Sequence, residues 1–376
     1  MPETEILIIG GGPAGLTSAG ALKKVGLEST ILDGHERIGE SWELRYDRLH
    51  LHTVRAYSGL AYFPIPHTYP KYVSKDQYAN YLRDYASHFD LKIVSRTLAK
   101  RVRQEKIDGR SGWAVETGSA MWFARVVVIA TGQFGQPIYP DWPGKSQYKG
   151  ETVHSSNYKS GQAFKDKQVL VVGAGNSGME ISVDLVEQGA SRVAISVRSV
   201  PPIVPRDFLG TPAQIFGILM NSFPPALSDK VGNALSRLAL GDLNHYGFPS
   251  PSWQSFRSHR TPIIDVGFVS ALKAGKISVR PEINTFTSTG VIYQDHREEA
   301  FDAVVFATGF HSGLEQLLEP VGIIDKNGNP CFPSGSPTNY PGLYFMGYFD
   351  SLRGFLYESN LASLRLAQKI KVFCSR

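Results

Sequence analysis

Two stretches of this chain follow one plan, and together they restrict its fold more than any other feature. EILIIGGGPAGLTSAGAL (residues 5–22) and VLVVGAGNSGME (residues 169–180) each run an apolar strand into a glycine-rich turn that opens a helix. The first predicts a strand Glu5–Ile9, a turn Gly10-Gly11-Gly12-Pro13-Ala14-Gly15, a helix to near Val25 and a strand Ser29–Leu32 ending at Asp33. The spacing Gly10-x-Gly12-x-x-Gly15, with an acid about 20 residues on, is a dinucleotide fingerprint. The first two glycines let backbone approach a pyrophosphate at the helix amino end, and the third lets helix and strand pack closely. Asp33 would accept hydrogen bonds from ribose hydroxyls. A glycine-rich helix start with no ligand is the plainer alternative.

The second unit predicts a strand Gln168–Val172, a turn Gly173-Ala174-Gly175-Asn176-Ser177-Gly178, a helix to near Gln188 and a strand Arg192–Val197. Arg198 and Ser199 stand where the acid is expected. A guanidinium there pairs with a 2′-phosphate, which points to NADP(H) over NAD(H), whereas the acid of the first unit suits the adenosine ribose of FAD. A surface arginine at a strand end is the alternative for Arg198.

Two further strands run into Ala-Thr-Gly, ARVVVIATG (residues 124–132) and FDAVVFATG (residues 301–309), and Pro137, Pro140 and Pro143 follow the first. Prolines there forbid regular structure. The expected fold is α/β, with two dinucleotide-binding, Rossmann-like domains and the second inserted into the first. The FAD domain takes residues 1–136 and 305–376, the NADPH domain residues 160–304, and residues 137–159 form a linker. A strand Gly342–Met346 and a helix near Glu358–Val372 would complete the first domain.

Composition narrows the function classes. Of 376 residues, 39 are Lys or Arg and 34 are Asp or Glu, a net charge of +5 that is scattered and offers no nucleic-acid groove. The two cysteines, Cys331 and Cys374, form no CxxC pair, so a dithiol relay has no residues to run on. The longest apolar candidate, IFGILM at 215–220, falls far short of the roughly 18 residues of a membrane span. The opening MPETEILIIGG, without a basic run and broken by glycine within a few residues, is not expected to be a signal peptide. A cytoplasmic protein without a membrane span is expected, with a homodimer left open. Two nucleotides on one chain imply hydride transfer from nicotinamide to flavin, and the acceptor beyond is dioxygen, a quinone or a protein.

YKGETVHSSNYKSG (residues 148–161) resembles the FxGxxxHxxxY motif of flavin-containing monooxygenases through Gly150, His154 and Tyr158, with Tyr148 in the place of Phe. Related Baeyer–Villiger enzymes carry Trp where Tyr158 stands. YDRLHLHTVRAYSGL (46–60), VVGAGNSGMEISVDL (171–185), VRSVPPIVPRD (197–207) and VVFATGF (304–310) are similar to the plant YUCCA-type monooxygenases. That resemblance implies FAD as prosthetic group, NADPH as reductant, dioxygen as co-substrate and an aryl 2-oxo acid such as indole-3-pyruvate as small-molecule substrate. It assigns Gly10, Gly12, Pro13, Ala14, Gly15, Asp33, Ser41, Trp42 and His52 to the cofactors on the first side. Gly173, Gly175, Asn176, Ser177, Gly178, Arg198 and Ser199 fall on the second. The family's flavin-side asparagine is absent from Leu51–Arg55, leaving Thr53 as the candidate hydroxyl there. His154 is the second catalytic candidate, with bracing of the interdomain hinge as its plainer role. Arg55, Arg206, Arg257, Arg260 and Arg353 are candidate cations for a substrate carboxylate, and Phe208–Phe223 and Asn244–Phe256 are candidate roof segments. An amine or thioether oxygenase and a reductase serving a protein acceptor remain the competing readings.

Overall fold

The computed structural model describes residues 2–107 and 109–375, and in it each glycine turn opens from the parallel centre of its own sheet. In the first sheet, parallel strands run in the order Lys92–Val94, Thr30–Leu32, Glu3–Ile9, Met121–Ile129, Leu343–Phe345. The first half of Met121–Ile129 pairs antiparallel with Arg110–Thr117, which in turn pairs with Ala99–Ile107. Alternate side chains of Glu3–Ile9 enter two cores, Ile6 and Ile8 on one face and Leu7 and Ile9 on the other. Burial on both faces explains why this strand is a continuous apolar run rather than an alternating one. Helix Pro13–Lys24 packs on the first face beside the carboxyl-terminal helix, linked through Thr17 Oγ1 and Ser363 Oγ at 3.2 Å.

The second sheet is parallel throughout, in the order Ile277–Arg280, Arg192–Ser196, Gln168–Val172, Ala303–Phe306, Glu151–His154. Helix Asn176–Glu187 covers one face, and a three-stranded antiparallel sheet, residues 283–300, covers the other. The fold is α/β with two Rossmann-like units, one inserted into the other. The sheet edges differ from the sequence boundaries at both ends of the insertion. Glu151–His154, expected as linker, is an edge strand of the second sheet, and Ala303–Phe306 pairs directly with Gln168–Val172. The two crossing segments are hydrogen-bonded to each other, Gln136–Pro137 antiparallel to Phe310–His311. The closing helix is Phe355–Cys374, beginning one turn earlier than expected because Gly354, at φ +96°, sets its start.

Between strands Arg192–Ser196 and Ile277–Arg280 the chain makes a long excursion. Helices Ala213–Met220 and Pro225–Leu240 lie within it, and the parallel pair Ile203–Pro205 with Ile263–Asp265 closes its base. It reaches back to the first domain, where the Val54 amide donates to Gln214 Oε1 at 3.0 Å and Gln214 Nε2 donates to the Arg353 carbonyl at 2.8 Å.

Candidate active site

The two glycine turns have the same geometry. Gly10 and Gly173 sit at φ +109° and +110°, and a Cβ on either would lie 2.4 Å from a carbonyl oxygen, that of Ala130 or Ala307. Those carbonyls belong to the two Ala-Thr-Gly stretches, so each is the wall against which its own turn is packed. A Cβ on Gly15 or Gly178 would lie 1.9 Å from the carbonyl oxygen of Gly10 or Gly173. Gly12 and Gly175 are different: both have extended backbone, and a Cβ on either meets nothing within 4 Å. The protein itself would accept a side chain there, and the space is open to a ligand. Each of these glycines caps a helix that lacks any side-chain cap, leaving first-turn N–H groups to an outside acceptor. Pro13 and Ala14 begin the first helix, and Asn176, Ser177 and Gly178 the second.

The strands that follow end in opposite charges. Asp33 is buried and accepts from the Gly11 amide (2.6 Å), the His35 amide (2.7 Å) and His35 Nδ1 (3.1 Å). Burial raises its pKa, but these hydrogen bonds together outweigh burial and hold it below the ordinary carboxylate value. Arg198 projects into solvent with its side chain 80% exposed and its nearest carboxylate, Glu282, at 4.0 Å. Ser199 faces Ser252 at 3.1 Å between hydroxyl oxygens. These features fit a pyrophosphate on each turn, a ribose at Asp33 and a phosphorylated ribose at Arg198.

A cavity of about 160 Å³ lies between the domains. Its wall takes His52 and Thr53 from the first domain, Asn176 from the second turn, Phe208, Phe216, Met220 and Phe256 from the excursion, and Ser351, Leu352 and Gly354 from before the closing helix. Asn176 also accepts the Ile264 amide at 3.1 Å, fixing the base of the excursion to the turn. Both expected roof segments contribute aromatic side chains. The candidate cations do not. Arg55 binds the His67 carbonyl (2.9 Å), Arg206 stacks on Tyr72 (3.6 Å), Arg257 lies beside Asp229 (3.8 Å), Arg260 covers Trp253 (4.2 Å) and Arg353 binds Glu358 (2.7 Å). Among the described residues the wall carries no lysine or arginine, and its one acid is Asp229.

The remaining expected residues fall in different places. Thr53 lines the cavity, but its hydroxyl lies 2.7 Å from Ser58 Oγ, which itself donates to the Val54 carbonyl, so the Thr53 proton points at Ser58. His154 is fully buried and away from the cavity wall, packed between the rings of Tyr139 and Phe310, each 5.1 Å distant. Burial holds its imidazole below the ordinary histidine value, and its Nδ1 accepts the Ser156 amide. Gly150 lies under the Tyr148 ring, and Tyr158 donates to Asp184 at 2.6 Å, so the 148–158 motif braces the second sheet and its helix. Ser41 and Trp42 sit on the short helix Glu40–Glu43, where Trp42 meets Tyr78 edge-on at 4.7 Å.

Over residues 3–375 the chain matches the family described as flavin-binding monooxygenase-like. The chain belongs to that family. As a flavin-binding monooxygenase it is an enzyme that works with FAD and NADPH. It is 35% identical over 365 residues to the probable indole-3-pyruvate monooxygenase YUCCA4 of Arabidopsis thaliana, covering 94% of this chain and 87% of that one. It is also 35% identical to the indole-3-pyruvate monooxygenase YUCCA1 of Oryza sativa subsp. japonica, covering 97% and 90%. Among solved structures, a flavin-containing monooxygenase from Stenotrophomonas maltophilia superposes with a TM-score of 0.74 at 22% identity over 100% of each chain. The bacillithiol disulfide reductase of Staphylococcus aureus has the same fold, with a TM-score of 0.71 at 19% identity over 99% of each chain.

The family fingerprint leaves one part of the site unread. Glu180, Asp184 and Glu187 share one face of helix Asn176–Glu187, at spacings of four and three residues. That face meets the first domain and the motif segment: Glu180 accepts Tyr46 Oη (3.1 Å) and His52 Nε2, Asp184 accepts Tyr158, and Glu187 holds Arg48 through two 2.9 Å bonds. Three acids on one face of a fingerprint helix are visible in the sequence; their partners are not.

Proposed function

We propose that this flavin-binding monooxygenase oxygenates a small aryl-bearing substrate in the interdomain cavity, and that the reaction is oxidative decarboxylation of an aryl 2-oxo acid such as indole-3-pyruvate. The observation that carries this reading is the cavity itself, an apolar, aromatic-lined space with walls from Thr53 and Asn176, between two turns built for dinucleotides. Identity of 35% along nearly the whole chain to enzymes named for indole-3-pyruvate supports the choice of substrate.

In this reading the Gly10–Gly15 turn and Asp33 hold FAD, and the Gly173–Gly178 turn and Arg198 hold NADPH. Bound there, the two groups supply hydride transfer and dioxygen activation. The chain's own work is to align and to exclude water. The excursion helices cover the cavity, Gln214 ties them to Val54 and Arg353, and Asn176 couples the nucleotide turn to the wall. Phe208, Phe216 and Phe256 offer faces and edges to an aromatic ring.

Oxygenation of an uncharged or cationic amine or thioether is the second reading, favoured by the absence of lysine and arginine from the described wall and by Asp229 within it. The holoenzyme with NADPH separates the two. Oxygen uptake matched by carbon dioxide release with indole-3-pyruvate or phenylpyruvate is expected. Product from amines or thioethers with no carbon dioxide from either oxo acid would move the conclusion to the second reading.

A further inference from the structure

Monooxygenation consumes a proton. For a 2-oxo acid the balance is R–CO–COO⁻ + O₂ + NADPH + H⁺ → R–COO⁻ + CO₂ + NADP⁺ + H₂O. One oxygen atom enters the new carboxylate, and the other leaves as water with the hydride's hydrogen and the added proton. Oxygenation of nitrogen or sulfur consumes the same proton. The wall described above is mostly apolar, and a side chain within it that exchanges protons would supply this one. Among the described residues, Asp229 and His52 are the wall's carboxyl and imidazole groups. Asp229 is committed elsewhere: it is buried and accepts the amides of Phe256 (2.8 Å) and Arg257 (3.2 Å).

His52 is built differently. Its Nε2 is hydrogen-bonded to Glu180 Oε1, while Nδ1 has no protein partner among the described residues. Glu180 has a side chain only 3% exposed, and its other oxygen accepts the Tyr46 hydroxyl at 3.1 Å. It rides on the helix that Asn176 begins, one turn after the nucleotide-facing residues. A buried carboxylate on one ring nitrogen fixes the neutral tautomer as Nε2–H, orients the ring and stabilises the imidazolium. Nδ1 is then the atom that takes up and releases the proton. The other groups around the pair are Tyr46 and Arg48 from the segment of His52 itself, and Arg206, which reaches over from the excursion to the Leu51 carbonyl at 2.8 Å. Arg48 is already bound to Glu187, and Arg206 stacks on Tyr72.

We propose that His52 is the proton donor of the oxygenation chamber and that Glu180, from the other domain, is its positioning residue. The inference rests on the reading of the cavity as the site of oxygenation. It also gives the interdomain contact a chemical consequence: the donor is aligned only while the second glycine helix lies against the first domain.

The test uses FAD-loaded wild type, His52→Gln and Glu180→Gln, with FAD content as the control for folding. In protein labelled with ¹⁵N-histidine, the resonance lost in His52→Gln should report an Nε2–H tautomer. Its titration should move to lower pH in Glu180→Gln, because the imidazolium loses its counter-charge. In turnover, product formed per NADPH oxidised should fall as pH rises through that titration. The fall should come at lower pH in Glu180→Gln, and the ratio should be roughly tenfold or more lower and pH-independent in His52→Gln. A His52→Gln enzyme that couples like wild type across the pH range would overturn the proposal. So would a Glu180→Gln protein whose histidine titration is unmoved, a result read without any turnover. A wild type that oxygenates neither oxo acids nor amines, yet shows the Glu180-dependent titration, contradicts the function proposed above and upholds the pairing.

Discussion

The chain contains its own control experiment: two glycine turns, one in each domain, with nearly superimposable constraints and opposite endings. The first glycines differ by a degree in φ, meet equivalent carbonyls at the same 2.4 Å, and the third glycines close on the first at the same 1.9 Å. Beyond the following strand they part, one reaching a buried, hydrogen-bonded Asp33 and the other an exposed Arg198 whose nearest carboxylate, Glu282, is 4.0 Å away. In the function proposed above, the turn is the place for a dinucleotide and the residue after the second strand distinguishes which one. The glycines within a turn also divide by physical role. Two are required by the fold, and at the middle one nothing in the protein opposes a side chain.

The largest effect should come from the fold-required positions. Gly10→Ala and Gly173→Ala impose both a disfavoured φ and a carbonyl collision, and each should cost on the order of 3 kcal/mol in denaturant unfolding of its domain. Gly12→Ala should unfold like wild type and yet purify without flavin, since nothing in the protein opposes its Cβ. A yellow Gly12→Ala protein would break the division. Next in size, Arg198→Ala should raise KM for NADPH by roughly tenfold to a hundredfold and leave that for NADH nearly unchanged, the value of a charge-assisted pair with phosphate. Equal losses for both nucleotides would remove the distinction between the two strand ends.

A smaller effect follows from Asp33. Its carboxyl titrates below the ordinary value of 3.8 in the folded protein, so the stabilisation it adds is present above that pH and is lost as pH falls below it. Stability to unfolding should therefore fall as pH drops below about 4, and Asp33→Asn should remove that step while weakening flavin binding at neutral pH. The smallest expected change is Arg48→Ala, which removes a half-exposed pair with Glu187 between the domains and should cost roughly 1 kcal/mol or less.

The fold is legible in the sequence because its signals are local. A short apolar strand, a glycine turn and a charged strand end are contiguous, so the expected limits of both units lie close to the observed ones. The Ala-Thr-Gly stretches stand out as crossings, but not as the carbonyl walls that force Gly10 and Gly173. That relation joins residues far apart in the chain, and no spacing rule carries it. Strand Glu151–His154 passes for linker because its neighbour, Ala303–Phe306, lies far away in sequence. The cavity is harder still. Helix Ala213–Met220 is apolar nearly throughout and Pro225–Leu240 on one side, and an apolar surface is the same whether it meets a core or an empty space. Thr53 lines that space, but the direction of its proton is set by Ser58. His154 stands out by its motif, and it lies between two aromatic rings instead of in the wall. Glu180 escapes notice because a carboxylate in a helix is ordinarily solvated, and only the docking of Tyr46 and His52 buries it.

The most direct test of two working nucleotide sites in one chain is an anaerobic titration of the yellow protein with NADPH, followed at the flavin absorbance. The wild type should bleach fully with about one equivalent per chain, and Gly175→Ala, which keeps its flavin, should need a large excess. Equal bleaching of the two proteins at the same ratio, or no bleaching of the wild type, would contradict two working sites.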